Sequence, residues 1–151
     1  MNAYTLLLNY LFELLQSDTD VNTITEGEQL DRIDISKKNI YPLAHIEAND
    51  GVFTDNDFQF NLSVDIVDQI DYNNEIKTDK FTSNDNRQDV YNTSLQSLRR
   101  LYNELKRNNN INVNPTGTAN FQKIKEDKND LVGFQLTMTI SVPNDIMSLC
   151  E

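Results

Sequence analysis

Two stretches alternate apolar and polar side chains long enough to decide the fold class. In residues 58–66 Phe58, Phe60, Leu62, Val64 and Ile66 alternate with Gln59, Asn61, Ser63 and Asp65, and in residues 134–142 Phe134, Leu136, Met138, Ile140 and Val142 alternate with Gln135, Thr137, Thr139 and Ser141. A period of two places all the apolar side chains of a strand on one face. Each stretch therefore predicts a strand with one buried face, and two such faces need a layer to cover them.

Two helical stripes can supply that layer. Leu7, Leu11, Leu14 and Leu15 recur at helical spacing, with Tyr4 and Leu8 widening the stripe. Between the long strands, residues 86–107 carry a second stripe of Tyr91, Leu95, Leu98, Tyr102 and Leu105, widened by Leu101. Asp85 with Gln88 three residues later resembles a capping box, and Lys106 and Arg107 suit the negative helix end. The run Asn108–Asn110 and the Pro115-Thr116-Gly117 turn signal stop this helix. Shorter strands are predicted around Thr23–Thr25, over residues 40–48 with Pro42 at a start or edge, and over residues 119–127. Asn49-Asp50-Gly51 marks a turn, and residues 127–133 read as a hairpin turn into the last strand. Residues 71–85 read as a long polar loop. Laying both helices on one side of a mainly antiparallel sheet gives an α+β fold, and 151 residues fit one domain.

Few kinds of chemistry suit this chain. His45 and Glu47 share a strand face, and His-Ile-Glu matches the start of a zinc-deaminase signature, but no Pro-Cys-x-x-Cys follows and zinc needs three or four ligands. Asp65, Asp68 and Asp71 are three apart, which does not place them on one strand face, and no apolar enclosure that would raise one pKa is evident. The single His has no nucleophile elbow, and the four glycines lie too far apart to cradle a phosphate. The reading is a protein without catalytic residues, metal or cofactor. A formal charge of −11 disfavours unselective binding to nucleic acid or anionic lipid. The N-terminal apolar run lacks a basic leader and contains Asn9 and Glu13, so an amphipathic helix is expected there rather than a signal peptide or a membrane span. Cys150 is the lone cysteine, which suits a reducing compartment.

Two features point to interaction. The polar faces of the long strands carry Gln, Asn, Ser and Thr with almost no charge; either a partner covers such a face, or threonine is present for its strand propensity on a solvated sheet. The connection expected over residues 71–85 is long for so small a domain, and loops longer than about a dozen residues are usually functional or disordered.

Residues 40–48, 58–69, 85–105 and 131–150 resemble, in order, a family of tail-terminator and tail-completion proteins of tailed bacteriophages, which includes neck and tail ring proteins of crAss-like phages. The resemblance implies a non-enzymatic virion protein, assembled in the host cytoplasm, whose α+β domain forms a sixfold or twelvefold homo-oligomeric ring between the portal or adaptor and the tail. DNA would pass through such a ring without specific binding, and a lumen lined by carboxylates would repel its phosphates. Asp65, Asp68 and Asp71 are the candidates to face that lumen or a neighbouring subunit, with Tyr41, Pro42 and His45 as further interface candidates. The other readings are a protein-binding module that forms no ring and, more remotely, an acidic hydrolase built on Asp65, Asp68 and Asp71.

Overall fold

The computed structural model describes residues 2–27, 41–70, 87–107, 112–126 and 131–143. Its elements follow the order α1 (Ala3–Gln16), β1 (Thr23–Glu26), β2 (Leu43–Phe53), β3 (Asp57–Gln69), α2 (Arg87–Lys106), β4 (Asn114–Glu126) and β5 (Leu131–Pro143). The strands form one sheet in the order β1-β2-β3-β5-β4, antiparallel except for the parallel β1–β2 pair. Both helices pack on the same face. This is the expected α+β arrangement.

β3 and β5 are the two long alternating stretches, and they lie side by side from Asp57↔Pro143 to Gln69↔Leu131 without a register shift. Leu62, Val64 and Ile66 of β3 join Phe134, Leu136, Met138, Ile140 and Val142 of β5 in the main core, together with Ala44 and Ile46 of β2. α1 contributes Leu7, Leu8, Leu11 and Leu15. The α1 N-terminus is capped by Asn2, whose side chain accepts a 2.8 Å hydrogen bond from the Thr5 amide. Tyr4, expected within the stripe, is exposed and donates to Glu26 at 3.3 Å.

α2 meets the sheet on a face rotated from the expected one. Val90, Ser94, Ser97, Leu98, Leu101 and Leu105 are its buried residues, whereas Tyr91, Leu95 and Tyr102 are only half-buried. The reason is size and hydrogen bonding: two serines let the helix approach closely, and a hydroxyl can be satisfied in a core where an apolar count sees only polarity. Ser94 Oγ donates to the Ile66 carbonyl at 2.6 Å and accepts from the Phe134 amide at 2.9 Å, so one side chain joins register partners on both central strands. Arg100 anchors the other side of the helix, donating to Asp18 at 3.0 and 3.1 Å and to Asp20 at 2.6 Å in the turn after α1. The Asp18 hydrogen bond, ahead of Asp20, raises the guanidinium pKa further, so Arg100 is charged at any physiological pH.

Three turn assignments are corrected. Asn49-Asp50-Gly51 is not a turn but part of β2, at a register shift between Glu47 and Asp50. The hairpin turns instead at residues 54–56, where the Thr54 hydroxyl accepts from the Asn56 and Asp57 amides and the Thr54 amide bonds the Asp57 carbonyl at 3.0 Å. Pro115-Thr116-Gly117 lies in β4, where Gly117 takes φ +68 inside a second register shift. Leu131-Val132-Gly133 belongs to β5: a Cβ on Gly133 would fall 1.9 Å from the Ile66 carbonyl oxygen, so only glycine lets the two backbones come this close. The capping-box residue Asp85, the loop at residues 71–85 and the turn at residues 127–130 lie outside the described residues.

Ser94→Ala is expected to lower unfolding free energy by roughly 1–3 kcal/mol, because a buried carbonyl and amide each lose a partner. Gly133→Ala should cost at least as much, since backbone must move to admit the methyl group. Urea denaturation of both variants, read by far-UV circular dichroism, checks the pair; wild-type midpoints would refute the account of the β3–β5 seam.

Candidate assembly surfaces

The sheet face turned away from the helices carries a polar row that crosses every strand. Thr25, His45, Asp65, Gln135 and Gln122 are successive register partners from β1 to β4. The Thr25 hydroxyl lies 2.8 Å from His45 Nδ1, and Gln122 Nε2 donates to Gln135 Oε1 at 3.0 Å. His45 and Asp65 are buried, at 1% and 6% exposure. His45 Nε2 sits 3.4 Å from Glu47 Oε1 without forming a hydrogen bond, and Asp65 Oδ1 has no hydrogen-bond partner. Burial, opposed weakly by Glu26, lowers the His45 pKa, so the ring is neutral at pH 7. Burial raises the Asp65 pKa despite a hydrogen bond from Gln135, and burial with the nearby Asp65 charge raises that of Glu47. The alternating pattern showed no enclosure for Asp65; the fold creates one.

Beside this row Tyr41, Leu43, Val67 and Leu131 form a small second core packed by Ile124, so at this end the sheet is buried on both faces. Toward the other end the face opens. Asn61, Ser63, Thr137, Thr139 and Asn120 line a shallow trough of ≈ 430 Å³ with Glu47 and Asp50 at its β2 side. Its hydroxyls bond across strands, Thr137 to the Asn120 carbonyl and Thr139 to the Asn61 side chain, both at 3.5 Å. The open part of the polar face is thus one contiguous surface, edged by two carboxylates at β2.

The residues singled out from the sequence are dispersed. Asp65, His45 and Tyr41 are buried beneath the face opposite the helices. Asp68 is half-buried on the helix side of β3, where it borders a small cavity with Asp89 and Ser94. Pro42 borders the same cavity and follows a cis Tyr41–Pro42 peptide bond. Asp71 lies outside the described residues. Asp65 and Asp68 therefore face opposite sides of the sheet, as their spacing implies, and do not converge as a pair of catalytic carboxylates. Among the described residues no group of three or more His, Cys, Asp or Glu is placed to hold a metal ion, and no helix is long and apolar enough to cross a membrane.

Two exposed apolar surfaces were not anticipated. At the tip of the β2–β3 hairpin Val52 and Phe53 are 61% and 80% exposed. Phe53 packs edge-on against Phe58 at 5.4 Å, and Phe58 stacks on Phe60 at 6.5 Å, so the aromatic row runs from the core out into solvent. Away from the hairpin, a groove between α2 and β4 is lined by Leu95, Leu98, Tyr102, Ala119 and Phe121, with Phe121 61% exposed. The rotation of α2 explains this groove: Leu95 and Tyr102 flank the buried face and overhang β4.

Charge divides along the same line. Every Lys and Arg among the described residues lies between Arg87 and Lys125, on α2, on Arg107 or on β4. Arg99 and Lys106 sit 5.6 Å from the centre of the Tyr102 ring, and Lys123 sits 4.8 Å from that of Tyr91. None of these three makes an ion pair among the described residues. The hairpin carries Asp50, Asp55 and Asp57 and no basic residue. Hydrogen bonds from Ser141 and then Thr54 lower the Asp57 pKa, which keeps that carboxylate ionised.

The titrating pair on the sheet gives a stability prediction. Asp65 has a folded pKa above its ordinary 3.8, so the folded chain takes that proton first and stability falls as pH rises from 3.8 toward the folded pKa. His45 has a folded pKa below 6.5, so the unfolded chain takes the proton first and stability is lost as pH drops below 6.5. Asp65→Asn should therefore raise stability at pH 7 by about 1 kcal/mol, or roughly 2–4 °C in Tm. His45→Gln should flatten the loss between pH 6.5 and 5. Thermal unfolding across pH 4–8 tests both, and a less stable Asp65→Asn protein at pH 7 would contradict the assignment.

Compared with known proteins, the chain matches no family model and no curated sequence.

Proposed function

We propose that this chain is a structural virion protein that forms an oligomeric ring at the neck or tail of a tailed bacteriophage, as a tail terminator or head–tail connector. The carrying observation is the separation of two exposed apolar surfaces, one acidic and one basic, onto the hairpin tip and the α2–β4 edge of one subunit. Surfaces that differ but complement each other make head-to-tail contacts, and such contacts close into rings when the rotation permits. Helices on one face of a mainly antiparallel sheet, as the resemblance to phage ring proteins implies, are consistent with this role.

In such a ring the portal or adaptor and the tail are the neighbours, and DNA traverses the lumen. The carboxylates available to repel it are exposed ones such as Asp50, not the buried Asp65. A second reading draws on the open polar trough: a module that takes a protein segment there and forms no ring.

Native mass spectrometry and negative-stain imaging of the purified protein separate the two. A closed ring of six or twelve subunits is expected. A protein that stays monomeric at high concentration and joins no ring with phage neck proteins would overturn the first reading. The ring should also show no tight, salt-sensitive binding of duplex DNA at physiological ionic strength, measured by fluorescence anisotropy.

A further inference from the structure

We infer that the contact between subunits is made by the β2–β3 hairpin of one copy seated in the α2–β4 groove of the next, with Phe53 as the inserted side chain; this rests on the ring reading above. The occupant of the groove is a second copy of this chain.

Three observations carry it. First, the two surfaces cannot meet within one chain, because β3 and β5 stand between β2 and β4 in the sheet. Second, they match in character: Phe53 projects at 80% exposure, and Leu95, Tyr102 and Phe121 present an apolar groove wall. A large aromatic entering an apolar pocket is the usual centre of an interface. Third, they match in charge. Asp55 lies in the hairpin turn and Asp57 just after it, while Arg99 lines the groove and Lys106 sits beside it over the Tyr102 ring, neither with a carboxylate partner among the described residues. Opposite charges around an apolar centre favour this pairing, whereas hairpin against hairpin would oppose like charges. The β4 edge itself is poorly suited to adding a strand, since it carries Pro115, a register shift and two lysines. Side chains, not a continued sheet, make the contact.

The test uses two variants of the full chain, Phe53→Ser and Phe121→Asp, both at exposed positions. Each alone should keep the wild-type far-UV circular dichroism spectrum and fall to monomer, with association weakened about tenfold or more. Mixed in equal amounts, they retain one intact hairpin and one intact groove between them, so a heterodimer that grows no further is expected by native mass spectrometry. Wild-type protein should also assemble less in 1 M than in 0.1 M NaCl, because the charged rim is screened. If both variants form wild-type rings, the ring reading stands and this contact is wrong. If wild-type protein is monomeric at about 100 µM and assembles only when another neck protein is added, the second-copy occupant is overturned.

Discussion

The β3–β5 ladder is the interaction on which every other element depends. It runs without a register shift along both strands, it supplies most of the apolar side chains beneath the helices, and β2 and β4 pair only to its outer edges. Ser94 and Gly133 show how closely that seam is held: a helix hydroxyl bonds a carbonyl on one strand and an amide on the other, and one residue away the backbones approach too closely for any Cβ. Register here has to be kept. Because side chains alternate, a slip of one residue would carry Leu62, Val64 and Ile66 to the polar face and bring Asp65 under α2.

Much of this was legible in the sequence because period two is hard to imitate. Both long strands, both helices and their arrangement on one face follow from alternating or helical spacing, and the absence of a shared face for Asp65 and Asp68 follows from their separation. Turns were less legible. Asn-Asp-Gly and Pro-Thr-Gly are strong local turn signals, yet both lie within strands, where pairing with a neighbour over many residues absorbs an irregularity instead of ending the strand. Gly133 reads as a turn residue for the same reason; its purpose is close approach, which no local pattern reveals.

The surfaces were legible only in part. The uncharged polar face was evident from residue types, and its open part is contiguous in space. The enclosure of Asp65 and His45 was not, because it needs register across five strands, far apart in sequence. The groove was hidden by the apolar stripe: Tyr91, Leu95 and Tyr102 read as core because they are apolar, while Ser94 and Ser97, which are buried, fall outside that stripe. Had the small residues been treated as points of close approach, the overhanging aromatic flank would have followed.

The placement of charge has a consequence in motion as well as at contact. With the described basic side chains confined to α2, Arg107 and β4 and only acidic ones on the hairpin, the described residues set an acidic tip against a basic edge in a chain of net negative charge. In the head-to-tail arrangement proposed above, copies approaching edge to like edge would repel, and those approaching by unlike edges would be turned toward each other within a Debye length, about 8–10 Å at physiological salt. Within the proposed ring, such uneven placement would favour one orientation of approach before any side chain touches.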